Sequence, residues 1–207
     1  LNNSLGDRGG AGPRPWRRFP FLVVLALLLI SVAAVVAEAR GPHPTLTVRV
    51  VGDVLRISGL VAPQLPAALA QILDQHPQVR TVLLDSPGGE VMGGLGTANL
   101  IRQRRLNTMV PANSNCASAC VILLAAGVER RVAPATRVGV HRWKYSRSAS
   151  DVDWERDTLA LKTAFAAFGV SADIVDLMLT VPHERIRWLS RREMRELRLI
   201  TAEVAGP

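Results

Sequence analysis

VRTVLLDSPGGEVMGGLGTANLIRQRR, residues 79–105, changes character twice. Val79 to Asp85 is a short, β-branched, nearly continuous apolar run, which suits a central strand covered on both faces. Ser86-Pro87-Gly88-Gly89 follows, and Thr97 to Arg105 then reads as a helix. Glycine carries no Cβ, so backbone N–H groups at a strand exit can turn toward a ligand. Such donors are what an oxyanion hole needs. A plain structural turn has the same composition, and S-P-G-G alone leaves both readings open.

The neighbours of this stretch repeat its alternation. Leu46, Val48 and Val50 share one face of a strand, Gly52-Asp53 marks a turn, and Val54 to Ile57 returns. Pro63 to His76 reads as a helix, with Leu65, Leu69, Ile72 and Leu73 at helical spacing. Downstream, LNTMVPANS is a second short strand and loop, and CASACVILLAAG is a helix ending at Gly127. Arg131-Val132 and Arg137 to Val140 read as a strand pair joined through Ala133-Pro134. Residues 150–180 are helical, with Leu159, Leu161, Phe165 and Phe168 inward and a break at Gly169 before Ser171-Ala172-Asp173 caps the next helix. Ser190 and Glu193 form a capping box for a last helix. Strands alternating with helices predict an α/β fold with right-handed crossovers. There is no internal repeat and no P-loop motif.

The 207 residues are 48% apolar and 20% charged, enough for one core of ordinary size. Aromatics are 4%, so that core is aliphatic. The net charge of +8 comes almost entirely from arginine. The arginines are scattered, and those from Arg185 to Arg198 are interleaved with Glu193 and Glu196, as on a solvated helix face. No aromatic interleaving suggests base stacking, so nucleic acid is not an expected partner.

The chain starts with Leu rather than Met, as a fragment or a non-standard start would. Residues 1–18 read as a disordered basic tail. Arg17 and Arg18 precede an uncharged run from Phe19 to Ala37, 19 residues. As a helix at roughly 1.5 Å per residue it is about 28 Å long, near the roughly 30 Å hydrocarbon core. It reads as a signal anchor, as a signal peptide cut after Ala37-Glu38-Ala39 or, as the remaining alternative, as a buried core helix. Either membrane reading exports residues 40–207, to the periplasmic face of a bacterial inner membrane or into the periplasm. Only two cysteines exist, Cys116 and Cys120. An exporting compartment would let them pair, although a bond between residues four apart within a regular helix is geometrically poor. They also suit tight packing as small residues. Two cysteines without a histidine cluster make no tetrahedral zinc site, so no metal or cofactor is expected.

Ser118 lies between those cysteines at the mouth of a helix, with small neighbours Ala117 and Ala119. A helix N-terminus favours developing negative charge, but a serine there is also an ordinary cap. His141 ends the strand Arg137 to Val140 and titrates near neutrality. His43, His76 and His183 sit beside prolines and look less central.

Taken together, "LLDSPGGEVMGGLGTANLI", "SNCASACVILLAAGVERRVAPATRVGVH" and "RWLSRREMRELRLI" resemble the proteolytic subunit of the Clp protease and the wider Clp/crotonase superfamily. The match runs from about Val54 to Ile200, in the right order: Ser118 follows Gly89 by 29 residues, and His141 follows Ser118 by 23. The resemblance implies a spiral of β-β-α units behind one N-terminal hydrophobic helix. It implies Ser118 as nucleophile, His141 as general base, and the N–H groups of Gly89 and Ala119 as the oxyanion hole, with Gly88 supporting that loop. It further implies a peptide or unfolded-protein substrate, a homo-oligomer joined through residues 145–180, and a membrane contact through the N-terminal helix. Two departures stand out. Ile186 occupies the position where Clp peptidases carry the acid that orients the histidine, and Cys116 replaces a glycine before the nucleophile. The departures keep a second expectation in play: a Clp-like binding scaffold with a weak or silent site.

Overall fold

The computed structural model describes residues 45–144 and 151–204. The tail 1–18, the hydrophobic run 19–37 and His43 lie outside the described residues. No helix among the described residues is long and apolar enough to cross a membrane.

In chain order the elements are β1 (Thr47–Val51), β2 (Val54–Ser58), α1 (Leu65–Gln75), β3 (Thr81–Asp85), α2 (Val91–Gln103), β4 (Asn107–Val110) and β5 (Asn115–Ala117). They continue with α3 (Ala119–Ala126), β6 (Arg130–Val132), β7 (Arg137–Val140), α4 (Asp151–Ala167), α5 (Asp173–Thr180), β8 (Arg187–Trp188), α6 (Arg191–Glu196) and β9 (Ala202–Glu203). β1 and β2 form the expected hairpin, with Val51 opposite Val54 across Gly52-Asp53. A six-stranded sheet follows in the order β1-β2-β3-β4-β6-β9, parallel from β2 onward. A smaller sheet, β5-β7-β8, pairs β5 with β7 in parallel and β7 with β8 antiparallel.

Leu55, Ile57, Val82 and Leu84 alternate inward on β2 and β3 and are fully buried, while Leu83 on the other face of β3 is half-buried. α3 runs through the core of the described residues. Every residue from Ala119 to Ala126 is buried, as expected for a helix that is apolar all round. Thr108 donates its hydroxyl to the Leu124 carbonyl at 2.7 Å, tying β4 to this helix. α2 lies alongside α3, with Gly94 facing Ala119 and Ile122. At this same N-terminal end α2 is capped by Glu90, whose carboxylate accepts the N–H groups of Met92 and Gly93, a favourable place for negative charge.

Arg130 is buried at 5% exposure without a carboxylate partner among the described residues. It donates instead to carbonyls where three helices end: Gly127 after α3, Phe168 after α4, and Arg198 and Leu199 after α6. Helix C-termini carry unpaired carbonyls and partial negative charge, so a guanidinium suits this junction. Burial, then the nearby Arg102 and Arg198 charges, push its pKa down.

Four expectations need correcting. The helix read over residues 116–127 begins only at Ala119, because Cys116 and Ala117 pair with Val138 and Gly139 as strand β5. β6 and β7 do not pair with each other; β6 joins the large sheet and β7 the small one. Pro134 lacks an N–H and Ala135 has φ 56°, so the chain turns a corner there. The Arg191 guanidinium, donating to the Val132 and Ala133 carbonyls, holds that corner. Arg191 is thus turned inward from the basic run read as a solvated face. Leu159 is 67% exposed rather than inward, whereas Leu161, Phe165 and Phe168 are buried. The Ser190–Glu193 capping box closes both ways.

Candidate active site

Three parallel chain segments end side by side. The Ser86 N–H donates to the Asn115 carbonyl and the Ala117 N–H to the Ser86 carbonyl, so the segment leaving β3 continues along β5. β5 in turn pairs with β7, and the Ser118 N–H donates to the Gly139 carbonyl at 3.0 Å. The exits of β3, β5 and β7 therefore deliver Gly88-Gly89, Ser118 and His141 to one end of the strands. Ligands in open α/β folds sit at carboxyl ends of strands of this kind.

Ser118 has φ 55° and ψ −126°. A non-glycine residue held there costs on the order of 1–3 kcal/mol. Its side chain caps no N–H of α3, so the hydroxyl is not committed to the ordinary serine cap. Two contacts bear directly on the conformation. One is the Gly139 hydrogen bond, and the other is Gly88, whose Cα faces Ser118 so closely that an added Cβ would lie 2.5 Å from the Ser118 Cβ.

Gly88 and Gly89 have φ of 102° and 151°, open to glycine alone in practice. Ser86 fixes the turn, donating its hydroxyl to the Gly59 carbonyl at 2.5 Å and accepting the Gly88 N–H at 3.1 Å. The Gly88 carbonyl accepts from Val61, and Glu90 donates back to the Val61 carbonyl. The Gly88 N–H is thus spent on the loop itself. The N–H of Gly89 takes part in no hydrogen bond among the described residues, and that of Ala119 stands at the first position of α3, where a helix leaves N–H groups unpaired.

His141 Nδ1 lies 2.7 Å from the backbone carbonyl of His183. A carbonyl only accepts, so Nδ1 carries the proton and Nε2 of the neutral ring is left with its lone pair. The His183 ring lies against that of His141, centroids 4.8 Å apart, and its own Nδ1 is 3.2 Å from the Arg142 carbonyl. Burial pushes the His141 pKa below the ordinary histidine value, against the hydrogen bond to His183, which raises it; the His183 ring lowers it further and Glu184 raises it. No hydrogen bond joins Ser118 to His141 among the described residues. Ile186, at the expected acid position, instead packs over β7, its Cγ2 2.4 Å from where a Gly139 Cβ would stand.

Ser118 opens onto a cleft of about 210 Å³ walled by Gly89, Val91, Met92, Trp143, Asp157 and His183. Trp143 stacks on Trp154 with centroids 5.3 Å apart, and Asp157 pairs with Arg156. A larger cleft of about 620 Å³ meets the same loop at Ser86 and Pro87, lined also by Ala117, Ile186 and Trp188. Cys116 and Cys120 are joined by a disulfide that brackets Ser118, with both residues fully buried. In the sequence His183 looks less central, and with Glu184, Asp173 and Asp176 it is only one of several neighbours that could stand in for the acid missing at Ile186. Its part is played by its backbone carbonyl, which no residue type announces.

The sequence matches no family model and no curated protein. Solved structures do match. One is a mutant of the 1510-N membrane-bound stomatin-specific protease, at 18% identity and TM-score 0.55, covering 72% of this chain and 77% of that one. Another is a ClpP1 mutant from Listeria monocytogenes, at 18% identity and TM-score 0.56, covering 75% of this chain and 92% of that one.

The fold is that of the Clp-type proteases.

That matches the expected Clp/crotonase-like α/β architecture. At this identity the likeness carries the fold and leaves the chemistry to the residues. Within the Clp-type fold of this chain, no group of three or more metal-ligating side chains forms among the described residues.

Proposed function

We propose that this chain is an exported serine hydrolase of the Clp-protease type that cleaves peptides through Ser118 and His141. The observation that carries the reading is the fixed His141 tautomer. With Nδ1–H held by the His183 carbonyl, Nε2 is the ring atom free to take a proton. Ser118, uncommitted as a helix cap, supplies that proton as its oxygen attacks a substrate carbonyl. The imidazolium then returns it to the leaving amine, and water repeats the cycle on the acyl-enzyme. The negative oxygen formed on attack would meet the N–H groups of Gly89 and Ala119, next to the N-terminal end of α3. The His183 carbonyl takes over the orienting task that an acid performs elsewhere, without supplying its charge. Apo dyads commonly sit loose and tighten on substrate, which accommodates the missing Ser118–His141 hydrogen bond.

Export rests on the run Phe19–Ala37 behind Arg17 and Arg18, read as an anchor or a cleaved signal. Peptide substrate and homo-oligomer are part of the same proposal, by likeness to Clp-type proteins. A second reading, a binding scaffold with a silent site, is favoured by Ile186 at the acid position and by the open dyad.

A fluorophosphonate probe separates the two. The expected result is covalent labelling of the folded chain, abolished in Ser118→Ala and slowed about 10²- to 10⁴-fold in His141→Ala. A folded chain that takes no label anywhere between about pH 6 and 9, where a histidine base acts, decides for the scaffold.

A further inference from the structure

We propose that the Cys116–Cys120 disulfide is a positioning element for Ser118, so that the reactivity of the nucleophile depends on the oxidation state of this pair. The inference rests on the reading of Ser118 as nucleophile. The bond ties the residue two before Ser118 to the residue two after it. Cys116 belongs to β5, held by Val138 on one side and by Ser86 on the other. Cys120 is in the first turn of α3. The disulfide therefore spans the junction where β5 passes into α3, with Ser118 at its apex.

That junction is the part of the site under most backbone constraint. Ser118 has φ 55° and ψ −126°, a conformation that surrounding structure must impose on a residue with a Cβ. Its N–H is anchored to Gly139 and its carbonyl accepts from Val121 at 2.9 Å. Gly88 presses on its Cβ side. Once the bond is broken, Cys116 and Cys120 are separate ends, and the strained residue can relax toward an ordinary helical or extended conformation. Relaxation would swing Oγ away from His141 and turn the Ala119 N–H out of the oxyanion position, since both follow the same peptide planes.

Reduction by a thiol balances simply. Two reductant thiols give up two electrons and two protons and join as a disulfide. The Cys116–Cys120 bond breaks, and each sulfur takes one proton. Both cysteines are fully buried, so the state of the bond is set mainly by the compartment in which the chain folds. Disulfides persist in oxidising compartments and are rare in the cytosol. A Ser118 that is competent only when the pair is oxidised is a hydrolase silent before export and armed after it.

The test is the second-order rate of fluorophosphonate labelling at Ser118 in the full chain. It is measured for the oxidised wild type, for wild type refolded and held in dithiothreitol, and for Cys116→Ala/Cys120→Ala. Circular dichroism and amide hydrogen exchange are followed in each. The expected result is a loss of at least about tenfold in labelling rate, in both reduced wild type and double variant. Faster exchange should be confined to Ser118, Ala119 and Cys120, with β2 and β3 unchanged. Equal labelling in all three forms overturns the proposal. So does a loss of labelling that comes with global loss of the circular dichroism signal, which would make the bond a general staple. Absence of labelling even in the oxidised wild type refutes instead the reading of Ser118 as nucleophile, and the inference falls with it.

Discussion

Replacing Gly88 with alanine puts one methyl group where the structure has no room for it. The new Cβ would stand 2.5 Å from the Ser118 Cβ, 2.6 Å from the Ala117 carbonyl oxygen and 3.0 Å from the Ala119 nitrogen. Ordinary contact begins near 3.4 Å, so about 1 Å of movement has to be found between the glycine loop and the serine turn. Neither side yields freely. The loop is pinned by Ser86 and Val61, and the turn by Gly139 and the disulfide. Gly88 itself has φ 102°, which adds on the order of 1–3 kcal/mol of backbone strain for alanine. A displacement of about 1 Å at a reacting group costs about 10²-fold in rate, or about 2.7 kcal/mol of barrier. Fluorophosphonate labelling of Gly88→Ala should thus be about a hundred times slower than wild type, in protein whose thermal melting still shows one cooperative transition. Labelling within about threefold of wild type would refute the claim that Gly88 and Ser118 form one packed unit, the expected loss being so much larger.

Burial lowers the His141 pKa below the ordinary 6.5, so its neutral, proton-accepting form persists to lower pH; the acid limb of the labelling rate should have its midpoint below 6.5, and a midpoint above it counts against His141 as the base. The same depression means that stability contributed by neutral His141 is present above 6.5 and is lost as pH falls through the lowered value. Arg130→Met removes the donor to carbonyls of Gly127, Phe168, Arg198 and Leu199. At about 1 kcal/mol per hydrogen bond the loss is about 3–4 kcal/mol, lowering the urea midpoint by about 1.5–2 M for a slope near 2 kcal/mol/M; an unchanged midpoint removes Arg130 as the junction of the three helix ends.

Much of the fold was legible because its signals are local and redundant. The hairpin at Gly52-Asp53, the helix from Leu65 and the capping box at Ser190 each follow from spacing within a few residues. What escaped depends on partners far along the chain. Cys116 and Ala117 look helical beside CVILLAA, but Val138 and Gly139 claim them for a strand. β8, two residues long, carries no periodicity at all. Leu159 fits an inward helical face by pattern, yet it is exposed. The resemblance to Clp-type proteases is what singles out Ser118, Gly88, Gly89 and His141 in the sequence, and the strand exits bring them to one end of the sheets. Nothing in the sequence singles out the His183 carbonyl, because every residue has one and only the path of the chain says where it points.

The partner of His141 Nδ1 is main chain rather than side chain, and alanine scanning would pass straight over it. Any residue at position 183 still presents a carbonyl, so this hydrogen bond, unlike the ring contact beside it, is indifferent to side-chain chemistry there and answers to backbone shape. An insertion, deletion or glycine between Val181 and Arg185 should disturb it more than any charge reversal nearby. In the proposed mechanism a neutral acceptor would also leave the imidazolium without a hydrogen-bonded counter-charge, Glu184 favouring it only through its field, whereas a carboxylate at Nδ1 would have cancelled that charge. Inhibitors carrying a fixed negative group beside their reactive carbonyl or phosphorus should therefore find a better reception here than at a site with the acid in place.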